Sequence, residues 1–98
     1  METPKISTLD EKQRILLSSE LQTLLGWEKG VRATARINEE SKSIEIIPAE
    51  DGEVMVDELN RITIDKELCN KLGWGAGKKS VMVDITSSII KITSLEKQ

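Results

Sequence analysis

The stretch DEKQRILLSSELQTLLGW at residues 10–27 returns 47 residues later as DELNRITIDKELCNKLGW at residues 57–74. When the next three residues are included, ten of the 21 aligned positions are identical, and both tryptophans of the chain are among them. Such agreement at a constant offset indicates an internal duplication. The chain is therefore predicted to fold as two matching halves.

The size of the repeat indicates that the two halves share one core. Each repeat, residues 7–48 and residues 54–95, has about 42 residues, close to the length below which a chain rarely buries enough apolar surface to fold alone. Of the 98 residues 38% are hydrophobic, and with two Trp and no Phe or Tyr the core must come from aliphatic side chains. We therefore expect one domain over residues 1–98, with an acidic linker at residues 49–53.

The acidic charge is concentrated between the repeats. The formal net charge is −3, and Glu50, Asp51 and Glu53 of the linker account for it. The first repeat carries six positive and seven negative side chains, and the second carries six and five. Attraction of nucleic acid by bulk charge should therefore be weak, and any basic surface must come from the local arrangement of side chains.

The sequence lacks the residues of several functional classes. It has no histidine and a single cysteine, Cys69, so the common catalytic triads, zinc sites and thiolate clusters are not expected. We expect no enzyme activity, no cofactor and no metal. No apolar stretch of membrane-spanning length is present, and the N-terminal Met-Glu-Thr-Pro-Lys lacks the apolar segment of a signal peptide. A cytoplasmic protein that does not enter membranes is expected.

Local signals predict the order strand, strand, helix, strand, strand in each repeat. The helix should begin after Ser18 or Asp65, whose side chains can accept hydrogen bonds from helix N-terminal amides, and end at Gly26 or Gly73. The tryptophan after each glycine should cover the helix end. The last hairpin is expected to differ by about one residue between the halves. The predicted strands are 6–9, 14–17, 32–37 and 43–47 in the first repeat, and 54–56, 61–64, 80–85 and 89–93 in the second.

This order, together with the repeated motif, resembles the AbrB-type swapped-hairpin family of bacterial transcription factors, also called SpoVT-AbrB domains. The family pattern is approximately Asp-x-x-Gly-Arg-Ile-x-Ile-Pro-x-x-Leu-x-x-x-Leu-Gly, and both repeats are similar to it from their Asp to their Leu-Gly. Gln13 and Asn60 stand where the pattern has glycine, and Ser18 and Asp65 stand where it has proline. Two repeats in one chain resemble the MraZ arrangement.

The resemblance implies both a fold and a partner. The expected fold is mainly β with short helices, a swapped-hairpin AbrB-like β-barrel in which two tandem β-β-α-β-β repeats form a pseudo-dimer. The expected partner is double-stranded DNA, and whether the barrels also associate into a homo-oligomer is left open. Arg14 and Arg61 match the arginine that lies on the DNA-facing side in this family.

Arg14 and Arg61 are therefore the leading DNA-binding candidates, because a guanidinium is a planar fork that suits phosphate oxygens and guanine edges. Lys12 and Lys66, near the turn and the helix start, are the accompanying phosphate contacts. The alternative is that the arginines only bridge Asp10 and Asp57 to hold the turns, and one arginine could do both.

Two functions follow from this sequence. One is a DNA-binding transcriptional regulator whose two halves read unequal half-sites. The other is a protein-interaction or assembly module, antitoxin-like, that keeps the barrel and has lost most DNA contacts.

Overall fold

The computed structural model describes residues 4–75 and 77–95; residues 1–3, 76 and 96–98 of the predicted domain lie outside the described residues. The chain is mainly β with short helices, as predicted. The elements are β1 (Lys5–Leu9), β2 (Arg14–Leu16), α1 (Ser19–Leu25), β3 (Arg32–Asn38), β4 (Ser43–Pro48), β5 (Val54–Met55), β6 (Arg61–Thr63), α2 (Lys66–Lys71), β7 (Lys79–Thr86) and β8 (Ile89–Ser94).

The strands form one antiparallel sheet with the order β5-β3-β4-β8-β7-β1-β2-β6. The strands at the two ends of this order, β5 and β6, contact each other. Next to that contact, the N–H of Asp57 donates a hydrogen bond of 2.9 Å to the carbonyl of Arg61. The sheet therefore curls into a nearly closed barrel, which leaves little unpaired strand edge.

Strand pairs join the two halves of the chain throughout the barrel. β1 pairs with β7 and β5 with β3, while β2 pairs with β6 and β4 with β8. Ile15 of β2 lies opposite Ile62 of β6, and these residues occupy the same position in the aligned repeats. Across the barrel, Glu45 of β4 lies opposite Lys91 of β8. The strand order is thus close to two-fold symmetric about an axis through these two pairs.

One hydrophobic core, drawn from both halves, fills the barrel. Ile15, Ile62, Ile44 and Ile92 are each at most 1% exposed. The tryptophans are 5% exposed, which confirms the prediction that they are buried. Cys69 of α2 is 1% exposed, and burial raises the pKa of its thiol, so the thiol stays protonated at neutral pH.

The helix ends follow the local signals. The Ser18 hydroxyl accepts the N–H of Leu21 at 3.2 Å, and the Asp65 carboxylate accepts the N–H of Glu67 at 2.9 Å. The C-cap of α1 is Gly26, in the left-handed region with a φ of 73°. α2 ends earlier than predicted: its C-cap is Leu72, in the right-handed region, and the left-handed glycine, Gly73 with a φ of 74°, follows it. These caps satisfy backbone groups that a short helix cannot pair internally, and they fix where each helix begins and ends.

The final hairpins differ more than the sequence predicted. β3 and β4 are joined by residues 39–42, whereas β7 and β8 are joined by Ser87 and Ser88 alone, a difference of two residues instead of one. Both serines have positive φ, 51° and 68°, as a tight two-residue hairpin turn requires.

The acidic linker is tied to β3. The N–H of Ala49 donates to the carbonyl of Arg32 at 3.1 Å, and Nη1 of Arg32 donates to the carbonyl of Gly52 at 3.0 Å. Gly52 packs so closely on β3 that an added Cβ would lie 1.9 Å from the carbonyl oxygen of Ala33. Only glycine fits at this position, and the linker holds a set path from β4 to β5.

Candidate nucleic-acid interface

The β2–β6 ladder places Arg14 and Arg61 on one outer face of the barrel. In this ladder Arg14 lies opposite Thr63, and Leu16 lies opposite Arg61. The central residues Ile15 and Ile62 are buried, so the flanking side chains point outward, because side chains alternate along a strand. The two arginines are therefore diagonal neighbours on either side of the approximate two-fold axis, roughly 7–8 Å apart at their backbones.

An aspartate in the preceding turn holds each arginine. Nε of Arg14 donates to Oδ2 of Asp10 at 2.8 Å, and Nε of Arg61 donates to Oδ2 of Asp57 at 3.1 Å. The other carboxylate oxygen of each aspartate accepts two backbone N–H groups of its own turn, those of Lys12 and Arg14 or of Leu59 and Arg61, at 2.8–2.9 Å. The expectation that these arginines bridge the turn aspartates is confirmed.

The turn hydrogen bonds keep both aspartates ionised. Partial burial alone would raise the pKa of Asp10, but hydrogen bonds from the backbone and side chain of Arg14 outweigh it and lower the pKa. At Asp57 the main cause is the backbone N–H of Arg61, which lowers the pKa below the ordinary value. The two arginines are thus anchored by fixed negative charges at neutral pH.

Anchoring leaves the distal end of each guanidinium for a ligand. Within residues 4–75 and 77–95, the hydrogen bonds and ion pairs of Arg14 and Arg61 side chains use Nε and not the terminal Nη atoms. Their side chains are 30% and 27% exposed. Because Nη1 and Nη2 form the outer edge of the fork, each arginine can donate two parallel hydrogen bonds to one acceptor group.

The two predicted lysines lie in different surroundings. Lys12 is exposed and sits in the turn between Asp10 and Arg14, so it adds a positive charge directly beside that arginine. Lys66 is the exposed first residue of α2, three residues beyond Thr63, the partner of Arg14. In the aligned positions of the other repeat, Leu59 and Ser19 carry no charge, so the surroundings of the two arginines differ.

Sequence reasoning missed Lys78, which lines one open cleft with four turn residues. The other lining residues are Asp10, Glu11, Lys12 and Arg14. The neighbour of Lys78, Lys79, pairs with Leu9 across the β1–β7 ladder, and Leu9 directly precedes Asp10. No local signal could have found this contact, because it depends on which strand pairs with β1.

In the part of the chain that the structure describes, no cluster of His, Cys, Asp or Glu could hold a metal ion. No helix among the same residues is long and apolar enough to span a membrane. No family model matches the chain, and no curated protein matches its sequence. What the chain binds is therefore inferred from the geometry of the arginine pair.

Proposed function

We propose that this chain is a cytoplasmic DNA-binding transcriptional regulator of the AbrB-like type, a binding protein and not an enzyme. One observation carries the proposal: two arginines lie on one face about a two-fold axis, each held at Nε by an aspartate with its Nη edge outward. A guanidinium held in this way loses little conformational freedom on binding, which favours recognition of phosphate oxygens or of guanine O6 and N7.

The approximate symmetry suits duplex DNA. A duplex has local two-fold axes, and proteins with two-fold symmetry bind pseudo-palindromic sites by placing equivalent residues on equivalent half-sites. Arg14 and Arg61 would occupy such equivalent positions. Lys12 and Lys66 would add phosphate contacts at positions where the other half has none, which supports half-sites of unequal sequence.

We propose the swapped-hairpin arrangement, in which the first strand of each repeat belongs to the sheet of the other. The pairing of β1 with β7 and of β5 with β3 supports it, because these pairs connect opposite repeats. A chain of this kind would need no second copy to complete the arginine face.

Fluorescence anisotropy with duplexes from beside the protein's own gene tests the function. Arg14→Ala and Arg61→Ala should each weaken binding by about 1–3 kcal/mol if the arginine touches a base, and should leave the fold intact. Removal of a phosphate contact should instead weaken all sequences alike and flatten the salt dependence.

Arg36→Ala is the matched control. Nε of Arg36 also donates to a carboxylate, that of Glu45, at 2.9 Å, but Glu45 lies at the opposite end of the two-fold axis. Its removal should leave DNA binding unchanged. If the parent shows no salt-sensitive binding at low ionic strength, or if both interface variants bind as well as the parent, the regulator proposal is wrong.

The protein-interaction module remains the second candidate because two exposed leucines lie near the arginines. Leu16, opposite Arg61 in the ladder, is 56% exposed, and Leu59 of the second turn is 62% exposed. Large contiguous apolar patches mark protein contacts, and this function would require the two leucines to belong to one such patch. Failure of DNA binding would favour this function.

A further inference from the structure

The cleft that contains Lys78 is built from both repeats. Lys12 and Arg14 come from the first repeat and Lys78 from the second, and the β1–β7 ladder brings them together. Lys12 and Lys78 are exposed. Neither repeat by itself contains all three cations.

The balance of charge in this cleft favours an anion. Three cations and two carboxylates line it, so the formal charge of the lining is +1. Moreover, the carboxylate of Asp10 is already bound by Nε of Arg14 and by two backbone N–H groups. Both oxygens of Asp10 thus accept hydrogen bonds within their own turn. The two lysines and the Nη atoms of Arg14 are left to bind an incoming anion.

The corresponding turn of the second repeat is more negative. Asp57 and Glu58 match Asp10 and Glu11, and Arg61 matches Arg14, but Leu59 replaces Lys12. The turn segment 57–61, with one cation and two carboxylates, therefore has a formal charge of −1. Segment 10–14, with two of each, is neutral before Lys78 is added. Two arginines that are equivalent by symmetry thus lie in unequal electrostatic surroundings.

We propose that Lys12, Arg14 and Lys78 form a composite phosphate-binding cleft that anchors one backbone strand of DNA, leaving Arg61 as the arginine without such an anchor. This inference rests on the proposed DNA-binding function and adds Lys78 and the inequality of the halves. Three cationic side chains that line one cleft suit a phosphodiester, which carries one negative charge and two non-bridging oxygens. The DNA should therefore bind off-centre, more strongly on the side of the first turn.

Salt-dependent anisotropy with a mixed-sequence duplex tests the cleft. Removing one phosphate contact should reduce the slope of log K against log [salt] by about 0.9. Lys78→Gln should show this reduction with every duplex sequence alike. Lys42→Gln, the same change at an exposed lysine in the turn between β3 and β4, is the matched control and should keep the parent slope. Thermal unfolding should be unchanged in both variants, because both lysines are exposed.

The opposite substitution, which adds a lysine to the turn of the second repeat, provides a second test of the cleft. Leu59→Lys places a lysine at the position that corresponds to Lys12, and the 62% exposure of Leu59 indicates that the fold will tolerate it. Binding should become tighter at low salt, and the salt slope should steepen by about 0.9.

The outcomes separate this inference from the proposed function. If the parent binds DNA and Arg14→Ala weakens binding, but Lys78→Gln keeps the parent slope, the composite cleft is wrong and the proposed function stands. If the parent does not bind DNA, both fail. Because inorganic phosphate would compete with the DNA backbone for the cleft, replacing chloride by phosphate at equal ionic strength should weaken DNA binding of the parent more than that of Lys78→Gln. If phosphate without DNA raises the Tm of the parent and not that of Lys78→Gln, while the two salt slopes agree, the cleft binds free phosphate and its assignment to the DNA backbone is wrong.

Discussion

Replacing Gln13 by glycine should stabilise the protein. Gln13 has a φ of 60° and Asn60 a φ of 61°, and both lie where the AbrB-type pattern has glycine. A non-glycine residue in the left-handed region is strained by about 1–2 kcal/mol. Glycine removes that strain but gains about 0.4–1 kcal/mol of conformational entropy in the unfolded chain. The net stabilisation expected for Gln13→Gly is about 0.5–1 kcal/mol, or roughly 2–8 °C in Tm for a chain of this size.

Asn60→Gly should have the opposite sign, although the backbone angle is the same. Asparagine tolerates the left-handed region better than glutamine, so less strain is relieved. In addition, Oδ1 of Asn60 accepts a half-buried hydrogen bond of 3.1 Å from Nε2 of Gln22 in the other half, which is worth about 0.5–1.5 kcal/mol. The side chain of Gln13 makes only an exposed hydrogen bond, to the carbonyl of Glu11. Asn60→Gly should therefore destabilise by about 1 kcal/mol.

Urea unfolding followed by tryptophan fluorescence provides the measurement, because both tryptophans are buried. Gln13→Ala is the control: it removes the side-chain amide but keeps the strained φ, so it should not stabilise. A destabilised Gln13→Gly, or an Asn60→Gly as stabilised as Gln13→Gly, would show that backbone strain does not govern these turns.

Two further predictions concern the core and the turn ion pairs. Trp27→Ala and Trp74→Ala should each cost about 3–5 kcal/mol of unfolding free energy in urea, because both side chains are 5% exposed; near-neutral stability with abolished DNA binding would instead indicate a recognition role. The folded-state pKa values of Asp10 and Asp57 lie below the ordinary 3.8, so their stabilisation is present above that pH and is lost as the pH falls through the folded-state values. The stability difference between the parent and the Asp10→Asn/Asp57→Asn double variant should therefore shrink below about pH 4, and a gap of equal size at pH 7 and pH 2 would contradict the ion-pair account.

Local signals were sufficient wherever the structure is made by neighbouring residues. Local signals predicted the order of strands and helices. They also predicted the N-caps Ser18 and Asp65, whose side chains bind nearby backbone N–H groups, and the left-handed glycines Gly26 and Gly73 at or just after the helix ends. The burial of the tryptophans was also predicted, since each directly follows a helix-ending glycine. The duplication strengthened these predictions because each signal occurs twice.

The candidate site could be predicted only in part. Arg14 and Arg61 were chosen from the motif, and bridges to Asp10 and Asp57 were predicted as the alternative role of the arginines; these bridges are present. Their position on one outer face required the β2–β6 register, because a shift by one residue would turn both side chains to the other face.

The sequence by itself determined the duplication, the element order and the local caps, because these depend on contacts of short range. Tertiary structure alone decided how the two halves combine: β1 pairs with β7, β5 with β3, and Lys78 thereby lies beside Arg14 across 64 residues of chain. The length of the connection between β7 and β8, two residues, is likewise set by the register in which these strands pair. The physical reason is that backbone hydrogen bonds between strands are the same for every residue type, so which strands pair is settled by burying all the aliphatic faces in one shared core.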